Sequence, residues 1–281
     1  MSAGSMVTDR IAAGQLFFIA GPCLIEGEEM LELVAAHLAS ISAKTGVPVV
    51  LKGSIRKANR TSLHSPTGID PEHALTALVE SGRRHSLPTL TDIHTIADAE
   101  RIGPCVDVVQ VPAFLARQTD LLVAAGANAA SVNIKKGQFM APYDMRHAVE
   151  KVRSGGCNNV MVTERGTTFG YHDLVVDMRS LIAMRQDDVR VVFDATHSTQ
   201  APSAGSISGG DRRLALPLAC AAAAIGVDGL FFETHPSPEE ALSDSATQIL
   251  LGDADRFIHS VAAHDEVARA MRRSAGPTDH E

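Results

Sequence analysis

The sequence predicts a single (β/α)8 TIM barrel, and three observations carry that prediction. Short apolar, β-branched runs recur eight times along 281 residues, with amphipathic stretches between them. Their spacing of roughly 30 residues is that of a parallel barrel. Hydrophobic residues make up 45% of the chain, with no Trp and two Tyr. An aliphatic core of this kind suits alternating strands and helices better than an aromatic-rich sandwich. No G-x-G-x-x-G follows the first run, which counts against a doubly wound open sheet. One domain over 1–281 is expected, its barrel covering approximately 16–275.

The eight runs are Leu16–Ala20, Val47–Lys52, Pro88–Ile93, Val106–Pro112, Ala130–Lys135, Asn159–Thr163, Val189–Thr196 and Gly229–Thr234. Apolar residues recur at helical spacing in Glu28–Lys44, Pro71–Ser86, Pro142–Ser154 and Arg212–Ile225. Pro71 and Pro142 sit where a first-turn proline is tolerated. Strand parity orients three of the runs. In the fifth, Val132 and Ile134 face the helices and turn Ser131, Asn133 and Lys135 inward. In the sixth, Val160 and Val162 face out, so Thr163 and Arg165 face in; in the eighth, Leu230 and Phe232 face out and leave Glu233 and His235 inside. The seventh run is apolar on both parities and does not orient Asp194 against His197. The Gly/Ser-rich stretch Gln200–Arg213 after it reads equally as a connector or as a mobile lid.

A formal net charge of −8 excludes a non-specific nucleic-acid binder, which needs a basic face. Cys23, Cys105, Cys157 and Cys220 contain no C-x-x-C pair and are too sparse for a disulfide scaffold. The first ten residues lack an apolar signal region, and no apolar stretch of about 18 residues exists to span a membrane. A soluble cytoplasmic protein is expected, with small-molecule partners rather than nucleic acid or membrane.

The working end of such a barrel is the carboxyl end of its strands. There the chain reads GPC, KGS, TDIH, QVPAF, KKGQF, TERG, DATHS and ETHP, rich in ionisable residues. The stretch Val47–Ser62 delivers Lys52, Lys57, Asn59, Arg60 and Thr61 within ten residues. Lys52, Lys57, Arg60, Arg117, Lys135 and Arg165 form a cationic set suited to more than one phosphate or carboxylate. Such a set repels itself unless anions fill the site or acidic side chains pair with it. Cys23, His197 and Glu233 close the first, seventh and eighth strands, which are neighbours in a closed barrel, and Asp244 follows shortly after. The residues alone leave two readings open: a site for Zn²⁺, Fe²⁺ or Mn²⁺, or a small buried Cys, a capping His and two unrelated acids.

AGPCLIE, KANRTSLHS, TDIH, QVPAFLARQTDLL, VNIKKGQF, TERGTTFGYHDLVVDMRSL, FDATHS and ETHPSPEEALSDSATQ occur in that order. Together they resemble the 3-deoxy-D-manno-octulosonate 8-phosphate (KDO8P) synthase family over roughly residues 16–250. The resemblance implies a (β/α)8 fold, usually in a homotetramer. The implied activity is that of a transferase condensing phosphoenolpyruvate with D-arabinose 5-phosphate and water. Its product leads to the lipopolysaccharide core. Cys23 in AGPC and Asp244 in SDSATQ match the metal-dependent branch and imply Cys23, His197, Glu233 and Asp244 as ligands of a divalent transition metal. Lys52, Ser54, Lys57, Gln110, Lys135, Arg165 and His197 are implied for phosphoenolpyruvate. Asn59, Arg60, Thr61 and Asp92 are implied for arabinose 5-phosphate, and Arg117 for the sugar phosphate of a neighbouring subunit. Lys52, Lys57, Asn59, Asp92, His197 and Asp244 are the catalytic candidates.

The departures gather on one side. Ser54-Ile55-Arg56-Lys57 replaces the usual SF-D-K, Thr61 replaces Ser, Ser65-Pro66-Thr67-Gly68 replaces an aromatic-Arg-Gly pattern, and Thr95 replaces Glu. All lie toward the sugar phosphate. The competing readings are the related synthase that uses erythrose 4-phosphate and a barrel that binds sugar phosphates without turnover. KANRTS counts against the first and the intact cationic and metal sets against the second. A sialic acid synthase would carry an extra C-terminal domain, for which no residues remain.

Overall fold

In the computed structural model, the described residues are 11, 14–58, 66–170, 173–185, 189–201 and 209–275. Eight parallel strands form the barrel: β1 (Phe17–Gly21), β2 (Val49–Lys52), β3 (Thr89–Asp92), β4 (Val108–Val111), β5 (Val132–Lys135), β6 (Val160–Glu164), β7 (Arg190–Asp194) and β8 (Gly229–His235). Each pairs with the next, and β8 closes on β1 from Phe17↔Gly229 to Gly21↔Glu233. The helices are α1 (Glu28–Thr45), α2 (Pro71–His85), α3 (Ile96–Ile102), α4 (Thr119–Asn128), α5 (Met145–Ser154), α6 (Arg179–Ala183), α7 (Ala215–Ile225) and α8 (Ala254–Ala275). All eight expected strands are present.

Two apolar layers give the strands their parity. Phe17, Ile19, Val50, Leu90, Val108, Met161, Val192 and Phe231 fill the barrel interior. Val132, Ile134, Val160, Val162, Leu230 and Phe232 belong to the outer layer against the helices, as parity predicts for β5, β6 and β8. The seventh strand, apolar on both faces, is now oriented. Val192 lies inside and Val191 and Phe193 outside, so Asp194 points inward with Val192.

Local chemistry sets several boundaries. Asp70 caps α2 by accepting from the N–H groups of Glu72 and His73, with Pro71 in the first turn. Thr95 and Asp98 form a reciprocal capping box at the start of α3. Pro142 does not open an α-helix as its spacing suggests. It starts a 3-10 turn, Pro142–Asp144, and α5 begins at Met145; likewise Arg212–Leu214 is a 3-10 turn ahead of α7. Short irregular strands escape period-2 patterning altogether. These are the hairpin Thr167–Gly170 with Asp173–Val175, the pair Gln200–Ala201 with Gly209–Gly210, and Ile249–Leu250 beside the end of β8. Residues 202–208 of the candidate lid lie outside the described residues.

Candidate active site at the carboxyl end of the barrel

A polar belt sits above the apolar interior. Ser54 Oγ donates to Asp92 Oδ2 at 2.6 Å, and Gln110 Nε2 to Asp92 Oδ1 at 2.5 Å. Asn133 Nδ2 donates to Gln110 Oε1 at 2.9 Å, and Thr163 Oγ1 to Asn133 Oδ1 at 2.7 Å. One chain of hydrogen bonds therefore runs from β2 to β6 and fixes the Asp92 carboxylate. Burial pushes that carboxyl up, but Lys52, His94, the Ser54 hydroxyl and Lys135 outweigh it and hold it down at about 2.

Where β1 meets β2, the backbone is drawn tight. A Cβ on Gly21, at φ +155°, would stand 1.9 Å from the Lys52 carbonyl oxygen, so only glycine lets β1 end this close to β2. Two residues on, the Cys23 N–H donates to Gln248 Oε1 at 3.3 Å, and Gln248 Nε2 donates to the Ser243 carbonyl at 2.8 Å. Asp244 takes a left-handed φ of 49°, and its carbonyl accepts from the N–H groups of Thr247 and Gln248. This tight turn carries the Asp244 carboxylate to 3.0 Å from Cys23 Sγ. One ligand-capable atom from each of Cys23, Glu233 and Asp244 lies within 4.8 Å of the others. His197 joins from β7: its Nδ1 is 2.8 Å from Asp194 Oδ2, and its Nε2 faces Glu233 Oε1 and Asp244 Oδ2, each at 3.9 Å. Asp194 thus orients the ring and points Nε2 toward the two carboxylates.

Lysines interleave with these acids. Lys52 Nζ lies 2.7 Å from Glu233 Oε1 and also donates to the carbonyls of Pro22 and Cys23. Lys57 Nζ lies 2.6 Å from Asp244 Oδ2 and 3.1 Å from Cys23 Sγ. Lys135 Nζ lies 2.7 Å from Asp194 Oδ2 and sits over the Phe231 ring. Burial raises the Cys23 thiol pKa, and Asp244 and Glu233 raise it further against Lys57 and Lys52. Burial works against ionised Asp194 and Asp244, but His197 and Lys135 for the first, and Lys57 and His197 for the second, hold both well below the usual carboxylate range. Arg165 is 5% exposed, and burial lowers its pKa. It donates through Nη2 to Gln200 Oε1 at 3.0 Å, while Nη1 has no hydrogen-bond partner among the described residues.

Cys23, Lys52, Ser54, Lys57, Asp92, Gln110, Lys135, Arg165, His197 and Glu233 line one cleft, together with Arg56, His94, Pro112, Ala113, Phe114 and Gln138. Asp244 reaches the same place through Cys23 and Lys57. The expected convergence thus extends to most of the site residues. Asn59, Arg60 and Thr61 lie outside the described residues. Arg117 is exposed and does not line the cleft; its carbonyl accepts from Lys151. Acidic partners, not bound anions alone, relieve the repulsion expected among the cations. Sequence reasoning missed Arg56, His94, Asp194 and Gln248. The signal for Arg56 was the departure at that position, but Asp194 gave none, because β7 is apolar on both faces.

The model of the DAHP synthetase I family matches residues 7–269. The chain belongs to that family. Among its relatives in the family, a 2-dehydro-3-deoxyphosphooctonate aldolase from Methylobacterium radiotolerans is 48% identical over 263 residues, 92% of each chain. Proteins of the same name from Syntrophotalea carbinolica and a Synechococcus strain are each 46% identical. The first covers 91% of this chain and 93% of its own length, the second 96% of both. These relatives carry the octonate name, that of KDO8P synthase, which places the chain in that branch of the DAHP synthetase I family.

Proposed function

We propose that this chain condenses phosphoenolpyruvate with D-arabinose 5-phosphate and water, giving 3-deoxy-D-manno-octulosonate 8-phosphate and phosphate for the lipopolysaccharide core. The observation that carries this reading is the meeting of an anion-receptive cleft and a mixed thiol, imidazole and carboxylate set in one barrel mouth. The names of relatives 46–48% identical support it. The family description carries the name of the related DAHP synthetase, so erythrose 4-phosphate belongs in any assay.

Lys135 and Arg165 hold the phosphate of phosphoenolpyruvate, with Lys52 and Lys57 nearer the reacting carbons and Ser54 and Gln110 lining the same cleft. Asp92, fixed by Ser54 and Gln110, orients a hydroxyl of the aldose, alongside Asn59, Arg60 and Thr61. C3 of the enol phosphate attacks the aldehyde, water adds at C2, and the C2–O bond to phosphate breaks. Bringing two substrates together in this way contributes about 7–11 kcal/mol. His197, backed by Asp194, and Asp244 are the candidates to assist proton movement at the aldehyde oxygen and the incoming water, a duty that competes with holding a metal.

Cys23, His197, Glu233 and Asp244 fit a divalent transition metal such as Zn²⁺, Fe²⁺ or Mn²⁺. The donor chemistry is right for such an ion, and Glu233 Oε2 is buried without a hydrogen-bond partner among the described residues. When bound, the ion supplies Lewis acidity at the aldehyde or the water. The enzyme works in the cytoplasm as a homotetramer, with Arg117 reaching a neighbour's sugar phosphate.

Phosphate release from phosphoenolpyruvate, measured with arabinose 5-phosphate, erythrose 4-phosphate and ribose 5-phosphate in turn, tests the reading. Preference for arabinose 5-phosphate is expected. Preference for erythrose 4-phosphate, or no release with any aldose, overturns it.

A further inference from the structure

The cations of the cleft differ in what already holds them. Lys52, Lys57 and Lys135 each lie against a carboxylate, at 2.7, 2.6 and 2.7 Å. Arg165 bonds a neutral amide, and its Nη1 has no hydrogen-bond partner among the described residues. Among the described residues, Arg56 is the other cation held loosely. Its side chain is 43% exposed, and its carboxylate neighbour, Asp98, stands 3.5 Å away. Asp98 Oδ2 already accepts from the N–H groups of His94 and Thr95, both at 3.0 Å, within the capping box that starts α3. Asp98 therefore aims the guanidinium and leaves most of its donors open.

Position sharpens the contrast. Arg56 follows β2 and Arg165 follows β6, four strands apart in a closed ring of eight. The two guanidiniums thus follow strands on opposite sides of the ring, and both line the cleft. Two phosphorylated substrates whose reacting carbons meet in the middle need an anion receptor at each end. A lysine bound at 2.7 Å must give up a carboxylate to take an anion, whereas a half-exposed guanidinium gives up little beyond water. The planar fork of donors also matches the oxygens of a phosphate monoester.

We infer that Arg56 is a specificity-determining residue that engages the terminal phosphate of the aldose phosphate, from the same subunit whose Arg165 takes the enol phosphate. This rests on the proposed reaction and adds a residue to it.

The test compares the native enzyme with Arg56→Ala and Arg56→Lys. The readouts are KM for each substrate, the kcat/KM preference for arabinose 5-phosphate over unphosphorylated arabinose, and calorimetric binding of arabinose 5-phosphate. Arg56→Ala should raise the KM and Kd for arabinose 5-phosphate by about tenfold to a hundredfold and cut the preference by a similar factor. The KM for phosphoenolpyruvate should stay within about twofold, and Arg56→Lys should recover part of the loss. A loss of general fold would move both KM values and leave the preference intact. Unchanged binding of arabinose 5-phosphate by Arg56→Ala, or equal weakening of both substrates, overturns the inference. If the native protein binds the aldose phosphate through Arg56 yet releases no phosphate, the reaction assignment fails and the role of Arg56 stands.

Discussion

Where β7, β8 and β1 meet, Cys23, Glu233 and Asp244 are buried to 2%, 1% and 8% exposure, and the lysines that touch them do so at 2.6 to 3.1 Å. Across the mouth, beyond β2 and β3, Arg56 is half exposed and Asp92 is held by neutral side chains rather than by short ion pairs. The first region has its charges balanced before any substrate arrives. The second leaves positive charge to be balanced by what binds. A dense, prepaired cluster favours a fixed chemical role, because losing one member strands a buried charge. A looser rim tolerates substitution and is where substrate choice varies.

Removing the proposed metal should disable the dense side most completely. Chelation should lower phosphate release by more than about a hundredfold, the scale of a lost electrostatic stabiliser, and Zn²⁺, Fe²⁺ or Mn²⁺ should restore it. Elemental analysis of native protein and Cys23→Ser should show the bound metal falling with the thiol. Full activity in protein verified as metal-free would sink the metal assignment.

Lys135→Met attacks the same side through a buried pair. Lys135 and Asp194 side chains are 7% and 0% exposed, and removing the ammonium leaves Asp194 with His197 alone on its Oδ2. Breaking a buried pair typically costs about 3–5 kcal/mol. The shift should be read by urea unfolding, and the KM for phosphoenolpyruvate should rise more than that for the aldose. A loss of stability under about 1 kcal/mol would mean that Asp194 is satisfied without Lys135.

How much of this was legible in the sequence follows from the same division. Strand parity oriented Lys135, Arg165 and Glu233 because outward apolar residues alternate cleanly before them: Val132 and Ile134, Val160 and Val162, Leu230 and Phe232. It said nothing of Asp194, since Val191, Val192 and Phe193 are apolar on both faces. The convergence of Cys23 with Asp244, 221 positions apart, needs the turn at Asp244 and the Gln248 bridge, neither of which has a periodic signature. Arg56 was visible as a residue but not as a role, which depends on Asp98 aiming it from another loop. The remaining strands of the short hairpins are too brief and irregular to register as patterns.

Asp92 offers a smaller, pH-dependent test of the looser side. Its folded pKa of about 2 lies below the unfolded value near 3.9, so ionised Asp92 stabilises the fold above about pH 4 and loses that contribution as pH falls through about 2. The contribution is on the order of 2 kcal/mol. The stability gap between native protein and Asp92→Asn should therefore shrink as pH falls from about 4 to about 2. A gap independent of pH would assign Asp92 a purely hydrogen-bonding role.

Arg117 carries the smallest effect on the fold and the sharpest question about assembly. It is exposed on the turn before α4, outside the cleft of its own chain, so Arg117→Ala should leave stability unchanged within about 0.5 kcal/mol. If it serves a neighbour's cleft, the same substitution should still raise the KM for arabinose 5-phosphate. Separating that route from a local one needs two different defects. Arg117→Ala lacks the reaching residue but keeps its own cleft; Lys135→Ala keeps Arg117 but lacks a competent cleft. After subunit exchange, a mixed oligomer contains clefts with native Lys135 flanked by native Arg117, and activity should exceed the mean of the two parents. Confirmed exchange with no gain would return Arg117 to the ordinary surface. The sugar phosphate would then depend on the receptor within one subunit, where Arg56 stands.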